Sequence, residues 1–134
     1  MLRLIDVSEE KGFTLIELMA ILVIIGVMAS VAVKKYNNIS VSAELRAIEV
    51  GISELNSRET LTWANLIINQ GNYPGDDAIW ALMTTYTDIG PSYHWDSGPD
   101  KDTGGQISFG SQTVSLIRQA STKQVAGKWR PSET

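Results

Sequence analysis

From Phe13 the chain is apolar almost without a break to Val33, and it turns polar at Lys34 and Lys35. As a helix rising 1.5 Å per residue, such a run spans about 30 Å, the thickness of a bilayer's hydrocarbon core. The remaining chain is too short to wrap so apolar a helix on every side, which argues against a buried soluble helix. A removable secretory signal fits poorly, because its apolar core is shorter and is followed by small residues at a cleavage site. The pattern therefore predicts a membrane-crossing helix that stays in the mature protein. One position breaks it: Glu17 stands four residues into the run. A charge at the middle of a membrane helix costs about 2.5–3.5 kcal/mol, so the carboxylate needs a partner or must snorkel to the head groups.

Past the apolar run, Leu45, Ile48, Ile52 and Leu55 recur at spacings of three and four, one stripe of an amphipathic helix. Glu54 and Arg58 stand at i, i+4 beside it, a supporting ion pair. These signals predict one helix from about Phe13 to Ser57, on the order of 65 Å long. "ETLTWANLIINQG" then reads as a short helix ending at Gly71, "NYPGDD" as a turn, and "GDDAIWALMTTY" as a second short helix with Asp76 or Asp77 as its N-cap. From Ser92 onward glycine and proline punctuate the β-type runs "SYHW", "QISFG", "TVSLIRQ" and "KQVAGKW", and "RPSET" reads as a frayed tail. The fold class expected is α+β: a long N-terminal α-helix, membrane-spanning in its first half, packed on a small globular head of short helices and a small antiparallel sheet. The divisions expected are residues 1–12 as a leader, 13–35 as the membrane half of the helix, 36–57 as its amphipathic half, and 58–134 as the head.

Composition narrows the chemistry. With no cysteine, disulfides, thiolate nucleophiles and zinc–thiolate sites are excluded. A formal net charge of −4 provides no broad basic surface, so no nucleic-acid partner is expected; Arg118, Lys123, Lys128 and Arg130 read as a solvated charged face. His94 stands alone and is assigned no chemistry, and the four tryptophans read as core. Asp96, Asp100 and Asp102 in "DSGPDKDTGGQ" are oxygen donors of the type calcium takes, but their spacing is not that of an EF-hand and Lys101 sits among them. Turn-forming aspartates are the preferred reading, with no cofactor expected beyond that candidate calcium loop. No nucleophile relay, phosphate loop or paired-carboxylate cleft points to an enzyme. Arg3 and Lys11 before the apolar run are matched by Lys34 and Lys35 after it, so flanking charge does not orient the span.

The N-terminal residues carry a resemblance. A short hydrophilic leader ending in Lys11-Gly12, followed by Phe13-Thr14-Leu15-Ile16-Glu17 and an unbroken apolar helix, resembles the class III signal of type IV prepilins and of type II secretion pseudopilins. The resemblance implies cleavage between Gly12 and Phe13 by a prepilin peptidase, methylation of the new Phe13 amino group, and retention of the helix as a filament core. It implies an inner-membrane precursor with its C-terminal head outside the cytoplasm, then self-polymerisation driven by an inner-membrane assembly platform. It also answers the question Glu17 raises, since in such filaments the glutamate meets the terminal amine of a neighbouring subunit and sets axial register. Gly26 matches a helix glycine common in pilins and, with Ala29 and Ser30, allows close helix approach. Lys34 stands where these pilins usually carry a kinking proline, which predicts a more continuous helix here. The "aspartate-proline-tryptophan-glycine" stretch usual in pseudopilins is not found, so a pilus-like subunit is the first reading, a pseudopilin the second. A membrane-tethered binding domain that never polymerises is the alternative of another class, and it leaves Glu17 unexplained.

Overall fold

The computed structural model of the chain describes residues 12–133; of the leader expected at residues 1–12, all but Gly12 lies outside them. In chain order the elements are helix α1 (Leu15–Gln70), helix α2 (Asp76–Met83) running into a 3-10 turn (Thr84–Tyr86), and strands β1 (Tyr93–Asp100), β2 (Gly104–Phe109), β3 (Gln112–Gln119) and β4 (Lys128–Pro131). The α+β class expected from the sequence is the class observed. Contacts divide the chain after Asn38 into two units that share α1.

In the N-terminal unit every described residue from Gly12 to Asn38 is exposed, so none of the described residues covers the apolar run. The helix starts after Thr14 because Thr14 and Glu17 close on each other as a capping box. It passes through Gly26 and Lys34 without interruption, as the missing proline predicts.

In the second unit the buried side of α1 is Ile48, Gly51, Ile52, Leu55, Glu59 and Thr62. Leu45, expected in that stripe, is instead 40 % exposed: the packed face begins one turn later. The helix also runs beyond Ser57 to Gln70, absorbing the segment expected to form a separate helix. Ser57 and Thr60 do not break it, because their hydroxyls donate to the carbonyls of Ser53 and Asn56 one turn back. It stops at Gly71, which takes φ +71° and donates its N–H to Ile67 O at 2.8 Å, a left-handed C-terminal cap. The N-cap expectation for α2 is likewise corrected: Gly75 holds that position with no side-chain cap, and Asp76 is used elsewhere.

The four strands form an antiparallel meander in the order β1-β2-β3-β4. Alternation along β1 turns Tyr93 and Trp95 toward the core and leaves His94 and Asp96 exposed, until register shifts after Trp95 and Ser97 break the period. Only Lys128–Pro131 of the expected last strand pairs, and the tail is not frayed through Ser132, whose N–H reaches Ser115 O at 2.8 Å. The core joins Ile48, Ile52 and Leu55 of α1 to Ile107, Leu116 and Trp129 of the sheet. Trp80 and Trp95 flank Trp129 at ring separations of 6.1 and 5.6 Å, which places three of the four tryptophans in or against the core. Trp63 is half-buried and donates to Thr122 O. Polar contacts also dock the sheet on α1. Asn56 pairs with the backbone of Trp129 through both its amide atoms, and Glu44 accepts the N–H and hydroxyl of Ser111 at the β2–β3 turn. Those Ser111 bonds hold the Glu44 carboxyl below its usual pKa.

Candidate processing and assembly site

The residues expected to carry processing and assembly lie at the start of α1. Gly12 and Phe13 precede the helix in exposed, non-helical backbone, and Phe13 is 75 % exposed. An exposed peptide bond with glycine on one side, free of a Cβ there, suits entry into a tight protease cleft. Among the described residues, no atom outside the helix's own backbone lies within 4 Å of where a Gly26 Cβ would stand, so that face of the helix is open to them.

Glu17 has a local partner that the sequence reading did not assign. Its Oε2 accepts the Thr14 N–H at 2.7 Å and the Thr14 hydroxyl at 3.0 Å, while the Glu17 N–H donates back to Thr14 Oγ1 at 3.3 Å. The carboxylate thus satisfies otherwise orphaned groups of the first helical turn and lies where the helix dipole favours negative charge. Cleavage before Phe13 would leave both Thr14 donors intact. Both bonds that the carboxylate accepts use Oε2, and Oε1 takes no hydrogen bond from the described residues.

Residues 8–33 match the family model for the prokaryotic N-terminal methylation motif. This motif is the class III signal typical of type IV pilins and pseudopilins. No solved structure matches the chain. The methylation motif covers the end of the expected leader, the Gly12–Phe13 bond, the Thr14–Glu17 capping box and the apolar run to Val33. Such a signal implies processing by a prepilin peptidase and fits a membrane-anchored precursor. α1 is long and apolar enough to cross a membrane over its N-terminal part.

The candidate calcium loop is arranged differently from a shared site. Asp96 lies on β1 and accepts the hydroxyls of Ser108 and Thr113, each at 3.2 Å, across the sheet. Asp100 closes an Asx turn, taking the N–H groups of Asp102 and Thr103 and the Thr103 hydroxyl, and these bonds lower its pKa. Lys101 turns to Asp77 in the first turn of α2 and stands 3.9 Å from Asp102. Among the described residues, no three His, Asp or Glu side chains are grouped as a metal site requires.

The head holds one charged cluster that the sequence reading missed. Arg118, placed there on a solvated basic face, is buried with its side chain fully covered. It forks onto Glu59 of α1, at 2.5 and 3.3 Å, and onto Asp76 of α2, at 2.8 and 2.9 Å. Its guanidinium also lies 5.1 Å from the Trp80 ring centre. Glu59 takes the Trp129 indole N–H at 3.2 Å, and Asp76 takes the N–H and hydroxyl of Ser121 at 2.7 and 2.6 Å. Burial opposes ionisation of Asp76, but bonds from Arg118 and Ser121 outweigh it and bring the carboxyl down to about 2. Burial likewise opposes the Arg118 charge, and Asp76 and Glu59 outweigh it and raise that pKa. The cluster ties α1, α2 and β3 together, with every buried side-chain polar atom among the described residues hydrogen-bonded. Its groups satisfy one another, which is the arrangement of a structural lock.

Proposed function

We propose that this chain is a structural subunit of a type IV pilus-like filament, cut between Gly12 and Phe13, methylated on the Phe13 amine and polymerised through α1. The observation that carries this reading is the methylation motif at residues 8–33, which takes in the start of a helix whose apolar run to Val33 none of the described residues covers. Such a surface has two stable environments, lipid before assembly and the equivalent helices of other subunits after it. Glu17 supplies register. The cut creates a cation one turn away, and a buried carboxylate left without its partner costs about 3–5 kcal/mol, so an axial offset that brings a neighbour's amine to Glu17 is favoured over others. Thr14 keeps the carboxylate satisfied while the subunit waits in the membrane. Gly26 permits close approach between neighbouring helices.

The deciding experiment is mass spectrometry of the N-terminal peptide from protein sheared off the cell surface and from protein left in the inner membrane. A methylated Phe13 terminus in the sheared fraction is the expected result. The same terminus confined to the envelope would replace the surface filament with a pseudopilus, and an intact leader in both fractions would leave a plain membrane anchor.

A further inference from the structure

The end of the membrane span carries a feature that the assembly reading does not use, and the inference drawn from it rests on that span. Between Glu17 and Glu44 the only charged residues are Lys34 and Lys35, and they stand directly after the last residue of the apolar run, with Tyr36 next. All three lie inside unbroken α1 and are exposed, Tyr36 to 73 %. Farther along the same helix cations are matched by carboxylates, Arg46 with Glu49 at 3.4 Å and Arg58 with Glu54 at 2.8 Å. Lys34 and Lys35 have no acidic residue within four positions on either side, so their own helix offers no such pair. Three consecutive helical positions fan their side chains over about 200° of the circumference, which suits a surrounding layer better than a single neighbouring face. Helical side chains lean toward the N-terminus, which for a span entering at Phe13 means back toward the bilayer. The lysine stems therefore keep their ammonium groups at head-group level, and the tyrosine ring has the amphipathic form that settles at that interface.

We propose that Lys34, Lys35 and Tyr36 form a contact for anionic phospholipid head groups where α1 leaves the membrane. Each ammonium group brings three N–H donors to phosphate oxygens, and together they fix the depth of the unassembled subunit. Leaving the bilayer for a filament then requires this contact to be released. The expected selectivity is about fivefold per lysine for anionic over zwitterionic lipid at low salt.

The chain's lack of cysteine allows a clean test. Full-length protein carrying Asn37→Cys, labelled with a fluorophore, is reconstituted into phosphatidylcholine vesicles and quenched with brominated phosphatidylglycerol or brominated phosphatidylcholine. The expected result is at least fivefold stronger quenching per mole by phosphatidylglycerol, lost in Lys34→Gln/Lys35→Gln and kept in Lys34→Arg/Lys35→Arg. Inorganic phosphate at constant ionic strength should leave the preference unchanged. Equal quenching by the two lipids, a preference that survives the glutamine variant, or competition by inorganic phosphate overturns the proposal. No quenching by either lipid overturns the membrane span itself, and with it the filament reading.

Discussion

Replacing Arg118 by glutamine removes the cation from the centre of the head and leaves Glu59, with 0 % exposure, holding a charge against the Trp129 indole alone. Four hydrogen bonds and the contact over Trp80 disappear together. Breaking a buried ion pair from one side costs about 3–5 kcal/mol, because the orphaned partner keeps its desolvation penalty. For a domain of this size that is roughly 12–20 °C in melting temperature. The assay is urea and thermal unfolding of the full-length chain in detergent, followed by tryptophan fluorescence, which the cluster's own Trp80 and Trp129 report. A second variant separates lost pairing from lost packing: Glu59→Gln combined with Arg118→Met removes both buried charges, and it should recover at least half of the loss. Destabilisation below about 1 kcal/mol in Arg118→Gln, or no recovery in the double variant, would falsify the assignment of the cluster as the lock of the head.

Four further outcomes follow from particular contacts. Asp76 is depressed from 3.8 to about 2 in the folded head, so its contribution is complete above about pH 4 and fades as pH falls toward 2; Asp76→Asn should flatten that limb of a stability–pH curve, by at most about 2 kcal/mol after solvent screening. Gly51→Ala would set a Cβ 2.7 Å from the Tyr93 ring and 2.9 Å from Ile89, and overpacking should outweigh the gain in helix propensity by about 1 kcal/mol, measured as a lower denaturation midpoint. Glu17→Ala should spare membrane insertion and cleavage but abolish most filament yield by electron microscopy of the sheared fraction, and wild-type yield would sink the registry role. Chelating calcium should move the head's melting temperature by less than about 1 °C, since Asp96, Asp100 and Asp102 are already engaged with hydroxyls, backbone N–H groups and Lys101; a shift of several degrees would restore the loop as a metal site.

What could be read along the chain was whatever depends on short-range pattern. The apolar run to Val33, the Lys11-Gly12-Phe13 junction with Glu17, the Glu54–Arg58 pair and the β-type runs are all local, and local periodicity and motif spacing encode them. Missed features of the same range had a readable cause in two places. Thr14 and Glu17 already form the T-x-x-E capping signature, and no glycine or proline stands between Ser57 and Gln70 to end α1. The rest was decided by tertiary contact. Arg118 looks like any basic residue of a polar strand until β3 carries it against Glu59, 59 positions away, and Asp76, 42 positions away. Asp76 looks like an N-cap until Arg118 and Ser121 take its oxygens in place of the helix terminus. The sequence by itself determined the membrane-grade helix and its processing signal, because both are contiguous and act on their own stretch of chain. The charged lock of the head arose only when distant segments met, because pairing energy between groups far apart in sequence leaves no period or spacing to read.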